Sequence, residues 1–210
     1  MAGPIDVIRD GTRAGMRVVA RALQRVTGNK LHPNMVTVFG LLMHIPIAIL
    51  IALQHYNVLA AILLIIFGLF DTLDGELARL QHRESLLGGF LDASTDRMKE
   101  TFLYTGIAYA LALSHHPATA AWAAAACGAS ICVSYVKAKG EAIAASGAKK
   151  IPYTVLNKMF KDGLLTFEIR MAVLVVGLLF GQLVIAVAAI AILAGFTAVQ
   201  RLVRIGEAFD

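Results

Sequence analysis

The chain has 210 residues, 58% of them hydrophobic and 16% charged, with a mean hydropathy of +0.72. A soluble domain carries about 25% charged residues, and a disordered chain needs low hydrophobicity with high net charge. Both classes are excluded, and little length remains for an extramembrane domain. The formal charge of +5 reads, in a chain this apolar, as membrane topology and contact with anionic lipid rather than nucleic acid.

In chain order, Ile5, Ile8, Met16, Val19, Leu23 and Val26 recur at helical spacing, while Arg9, Arg13, Arg17, Arg21 and Arg25 occupy every fourth position. Residues 1–33 are therefore expected to form an amphipathic helix in the cytoplasmic membrane interface. They lack an uninterrupted apolar stretch, so the first spanning helix is expected to act as the insertion signal. A six-helix membrane domain over 34–210 follows, with spans predicted near 34–54, 57–80, 86–113, 118–138, 164–182 and 184–206.

The gaps around His55, around His115 and Pro117, and around Gln182 contain no Lys or Arg. By the positive-inside rule the opposite side is cytoplasmic, which puts both termini there in the cell membrane. A second interfacial segment is expected from Pro152, with Tyr153, Leu156, Met159 and Phe160 on one face beside Lys158 and Lys161. Cys127 and Cys132 are five residues apart on different faces of one helix, so no disulfide is expected. The fold class is all-α integral membrane.

Polar chemistry concentrates where the second span ends and the third begins. The chain reads Asp71-Thr72-Leu73-Asp74-Gly75-Glu76-Leu77-Ala78-Arg79, then eight residues, then Gly88, Asp92 and Asp96. On a helix, Asp71, Asp74, Gly75 and Ala78 share one face at i, i+3, i+4 and i+7. Gly88, Asp92 and Asp96 form a stripe on the next helix, so two neighbours can present four carboxylates to one cavity. An Asp at the centre of a spanning helix costs about 2.5 to 3.5 kcal/mol. Something must neutralise the four. Ion pairs with Arg79, Arg83 and Arg97 are one reading. A hard divalent cation that keeps phosphate and water in its shell is the other, favoured by the ligand spacing and the small residues alongside.

With these residues the sequence resembles the CDP-alcohol phosphotransferase family. The signature is Asp, two residues, Asp-Gly, two residues, Ala-Arg, eight residues, Gly, three residues, Asp, three residues, Asp, and every fixed position and spacing is met. Leu31-His32-Pro33-Asn34-Met35-Val36-Thr37 also looks like the family's entry to its first span. The resemblance implies transfer of a phosphatidyl group from CDP-diacylglycerol or a related CDP-lipid to the hydroxyl of a second alcohol, with CMP leaving. It implies that Asp71, Asp74, Asp92 and Asp96 hold two Mg²⁺ or Mn²⁺ ions, and that Asp96 is also the general base. It further implies a CDP-lipid site at Pro33, Asn34, Gly75, Ala78, Arg79, Ser85 and Gly88, and a homodimer.

For the acceptor, Ser134-Tyr135-Val136-Lys137-Ala138-Lys139-Gly140-Glu141 and Val199-Gln200-Arg201-Leu202 resemble segments of the phosphatidylinositol-phosphate synthase branch and its archaeal relatives. That likeness implies an inositol phosphate acceptor held by Lys137, Arg170 and Arg201. The chain departs from the branch at Leu165-Thr166-Phe167-Glu168-Ile169, where those enzymes are arginine-rich. Glycerol 3-phosphate is the alternative acceptor, although Ala93 and Arg97 replace the proline and lysine usual there. From another class, an ion-coupled transporter would also carry intramembrane carboxylates, but neither an inverted repeat nor a matched pair of broken helices is visible.

Overall fold

The computed structural model describes residues 4–146 and 165–209, with side chains from Asp10 to Ser146 and from Leu165 to Glu207. Among the described residues all regular structure is helical: α1 (Pro4–Thr27), α2 (Pro33–Ala52), α3 (Asn57–Gly68), α4 (Phe70–Gln81), α5 (Leu86–Ala112), a short 3₁₀ turn (Pro117–Thr119), α6 (Ala120–Ala145), α7 (Phe167–Leu179) and α8 (Leu183–Phe209). The expected interfacial segment from Pro152 lies outside the described residues.

Local chemistry sets the helix boundaries. Gly28 and Asn29 adopt φ of 55° and 65° just after α1, a left-handed pair that stops a helix. His32 then caps α2, its Nδ1 accepting from the Asn34 N–H at 3.2 Å, with Pro33 at the first helical position, where its missing N–H costs nothing. Ser85 caps α5 by accepting from the Gly88 N–H at 3.0 Å.

Four helical stretches are long and apolar enough to cross a membrane: Pro33–Ala52, Asn57–Gln81, Pro117–Ala145 and Leu183–Glu207. The span expected over 57–80 is interrupted at Leu69, whose N–H is shared between the carbonyls of Ile65 and Ile66 at 3.3 and 3.2 Å. This disturbance follows Gly68, the weakest helix former in the segment, and lies one half-turn before Asp71. The remaining two expected spans differ in kind. The 27 residues of α5 are long enough but include Asp92, Asp96, Arg97, Lys99 and Glu100, and the 13 residues of α7 rise only about 20 Å.

The main core joins α2, α3, α5, α6, α7 and α8 through Ile47, Ile51, Leu103, Ile107, Leu174 and Ile190, all buried. Close helix approach needs small residues here. Gly106 of α5 lies against the backbone of Ala48 in α2, where a Cβ would overlap the carbonyl. Ala123, Ala126, Ala194 and Ala198 do the same service where α6 meets α8. Large side chains such as Ile49, Ile62, Ile192 and Phe196 point outward instead, as a hydrocarbon solvent permits. A second, smaller cluster seats α1 on α4: Ala20, Leu73 and Leu77 are buried, with Met16 and Leu23 packed against them. The expected apolar stripe of α1 is thus divided, since Val19 and Val26 remain exposed.

A carboxylate cavity among the helices

The helices surround a cavity of about 870 Å³. All the residues expected to bind metal or CDP-lipid line it: Asp71, Asp74, Asp92 and Asp96, with Pro33, Asn34, Gly75, Ala78, Arg79, Ser85 and Gly88. One end is polar. Towards the other, the wall becomes Leu64, Ile65, Met171, Val175 and Val176 from α3 and α7. The cavity therefore joins a charged chamber to an apolar channel.

Oxygens of Asp71, Asp74 and Asp92 lie within 4.8 Å of one another. Asp74 is buried and accepts a hydrogen bond from Thr37 Oγ1 at 2.5 Å, which fixes one of its oxygens. Asp71 is ion-paired with the fully buried Lys99, whose Nζ also reaches Asp96 Oδ1 at 3.4 Å. The second Asp71 oxygen, Oδ2, is buried and accepts no hydrogen bond among the described residues. Three converging carboxylates, one partly neutralised by lysine and holding an orphaned oxygen, form the hard oxygen donor set that a divalent cation takes. The residues fit such an ion. Asp96 stands outside this trio: Lys99 holds one oxygen and Arg97 Nη2 approaches the other at 3.5 Å.

Gly75 leaves room above α4, and the Arg79 guanidinium lies over it, with Nη2 3.5 Å from where a Cβ would sit. Arg79 Nη2 in turn donates to Glu76 Oε1 at 2.7 Å. Ser85 Oγ serves as the α5 cap as well as lining the cavity.

The basic residues expected for the acceptor, Lys137, Arg170 and Arg201, do not line this cavity. Arg170 is 1% exposed and forms a paired bond to Glu100, Nε to Oε1 at 2.7 Å and Nη2 to Oε2 at 3.1 Å, while Nη1 donates to the Leu165 carbonyl at 3.0 Å. Glu100 thus gives the buried Arg170 an internal carboxylate partner, so its charge is balanced within the protein. Arg201 is also buried and donates Nη1 to the Val133 carbonyl at 3.1 Å, with Arg170 and Glu141 as electrostatic neighbours. Lys137 is exposed, 3.8 Å from Glu141.

Sequence reasoning missed Lys99 and Glu100, which connect the two groups of charges. Lys99 stands three residues after Asp96 and continues the stripe of Gly88, Asp92 and Asp96, a signal that was available. Glu100 pairs with Arg170 seventy residues away, and Arg97 Nε approaches it at 3.4 Å; no local spacing announces that contact. Thr37 and Glu76 were likewise invisible as partners.

A bundle of apolar helices around a cavity that is acidic on one part of its wall and apolar on another fits a multi-pass membrane enzyme that handles a charged lipid. The chain belongs to the CDP-alcohol phosphatidyltransferase family, whose model matches residues 30–194, and is thereby a metal-dependent phosphatidyltransferase. It is 36% identical over 186 residues to phosphatidylinositol phosphate synthase of Corynebacterium glutamicum, covering 85% of this chain and 79% of that one. It is 32% identical over 143 residues to the enzyme of the same name from Cutibacterium acnes, covering 67% of each. In fold it is similar to Mycobacterium tuberculosis phosphatidylinositol phosphate synthase (PgsA1) with CDP-DAG bound, at a TM-score of 0.75 and 24% identity over 90% of this chain and 92% of that one. That protein is also known in complex with manganese and citrate, at a TM-score of 0.76, 24% identity and coverage of 91% and 88%.

Proposed function

We propose that this enzyme transfers the phosphatidyl group of CDP-diacylglycerol, or a related CDP-lipid, to the hydroxyl of inositol phosphate and releases CMP. The observation that carries the reading is the convergence of Asp71, Asp74 and Asp92 within 4.8 Å in a chamber that opens into an apolar channel. The two phosphatidylinositol phosphate synthases at 36% and 32% identity support the acceptor.

Asp71, Asp74 and Asp92, with Asp96 beside them, would hold Mg²⁺ or Mn²⁺, two ions per site, which would supply charge stabilisation to the donor diphosphate. Gly75, Ala78 and Gly88 leave space for the nucleotide, with Pro33, Asn34 and Ser85 around it, and Arg79 meets a phosphate oxygen. The apolar channel takes the lipid tails. Asp96, held by Lys99 and Arg97 rather than inside the trio, is the base that removes the proton from the attacking hydroxyl. Lys137 and Arg201, with Arg170 fixed beside them by Glu100, form the acceptor phosphate site.

In the membrane, α5 and α7 complete six spans around their shared charges, and α1 lies in the cytoplasmic interface with both termini on that side. The working form is a homodimer in the cell membrane.

Purified protein supplied with CDP-diacylglycerol and a divalent metal should release CMP with inositol phosphate and not with free inositol, serine or glycerol 3-phosphate. Faster turnover of glycerol 3-phosphate would overturn the acceptor while leaving the transferase reading in place.

A further inference from the structure

Glu76 occupies an unspecified position within the acidic motif, yet it is one of the most enclosed carboxylates in the molecule. Its side chain is 2% exposed, and its two oxygens are divided between two arginines: Oε2 accepts from Arg17 Nε of α1 at 2.9 Å, Oε1 from Arg79 Nη2 at 2.7 Å. Both arginines are themselves about half exposed, at 50% and 47%. Helical arithmetic explains the arrangement. Glu76 lies about 60° from Leu73, on the side that packs on α1, and about 60° from Arg79, which is rooted about 40° from Gly75 on the face of the cavity. The carboxylate thus sits between a helix that docks on α4 and a guanidinium that lies over Gly75. Independently, α1 contributes Thr12 and Arg13 to the cavity wall, so this helix is part of the chamber.

We infer that Glu76 is a positioning residue for the donor site: gripped by Arg17 of α1, it holds the Arg79 guanidinium at the cavity wall in the orientation that receives a diphosphate oxygen. A long side chain that is half exposed loses rotamer freedom when it binds an anion. An arginine already fixed by a buried carboxylate has lost that freedom beforehand, and its remaining N–H groups stay directed at the ligand. The docking of α1 thereby becomes a condition of donor affinity. This rests on the reading that Arg79 contacts the donor.

The test is steady-state kinetics of the full chain in detergent micelles with CDP-diacylglycerol and inositol phosphate. Glu76→Gln keeps the shape but removes the charge that grips both arginines, and should raise the KM for CDP-diacylglycerol about three- to tenfold, with the acceptor KM unchanged. Arg17→Ala, at a half-exposed position, should move the same constant in the same direction. The double variant should be no worse than Glu76→Gln alone, because the two act through one contact. Arg21→Ala, one turn further along α1, should match the wild type. A wild-type donor KM in both Glu76→Gln and Arg17→Ala, alongside a raised one in Arg79→Ala, would make Glu76 a plain tie between two helices and overturn the inference alone. A wild-type donor KM in Arg79→Ala itself would overturn the donor role of Arg79, and the inference with it.

Discussion

The acidic chamber and the basic group beyond it are built on opposite plans. The chamber draws its carboxylates from α4 and α5, two helices joined by a short connection, and all four lie within 26 positions of one another. The basic group draws Lys137 from α6, Arg170 from α7 and Arg201 from α8, with 33 and 31 positions between successive members. The chamber contains an excess of negative charge and an orphaned Asp71 oxygen. In the basic group each charge already has a protein partner: Glu100 for Arg170, the Val133 carbonyl for Arg201 and Glu141 for Lys137. A site that leaves charge unsatisfied is ready for a metal. One whose charges are pre-paired must exchange partners, or use the N–H groups left over, to receive a phosphate.

The strongest way to sharpen this contrast is to remove the chamber's ligands. Asp71→Asn, Asp74→Asn and Asp92→Asn should each abolish CMP release through lost metal affinity, measured by metal titration of activity and of thermal stability. Asp96→Asn should instead lower turnover by roughly 10² to 10⁴ while CDP-diacylglycerol still binds, because a general base is lost and the trio is kept. Near-normal turnover in Asp96→Asn would remove its assigned role.

In the basic group the largest effect should fall on stability. Arg170→Ala leaves the fully buried Glu100 without its paired donor, and breaking one side of a buried pair costs about 3 to 5 kcal/mol. Thermal unfolding in detergent should show the loss, and adding Glu100→Ala to Arg170→Ala should recover part of it. A stable Arg170→Ala variant with a raised acceptor KM would show that the pair opens to the substrate.

Arg201→Ala should give the smaller and more specific effect. On the proposed acceptor site its loss would remove a charge-assisted bond to the phosphate, worth about 1.5 to 3 kcal/mol, or roughly a 10- to 150-fold rise in KM for inositol phosphate, with the KM for CDP-diacylglycerol unchanged. An unchanged acceptor KM would sink the assignment of this region.

These differences also explain what could be read in advance. Asp71, Asp74, Gly75 and Ala78 are assembled by the period of one helix, and Gly88, Asp92 and Asp96 by the period of the next, so their common cavity follows from spacing and a short connection. Helix positions in the apolar stretches were legible for the same local reason. The role of α1 was only half legible: its arginines were visible as a stripe, but that Arg17 would reach Glu76, and that Met16, Ala20 and Leu23 would choose α4, depended on a neighbour 59 positions away.

By itself the sequence determined the all-helical membrane class, the acidic face and its eight fixed motif positions, because hydrophobic length and i, i+3, i+4 periodicity act within one helix. Only the tertiary structure decided that Lys99 neutralises Asp71, that Thr37 fixes Asp74, that Glu76 bridges two arginines and that Arg170 belongs to Glu100. Burying a charge is costly wherever it occurs, but which opposite charge relieves it is settled by the packing of distant helices, and no spacing along the chain encodes that choice.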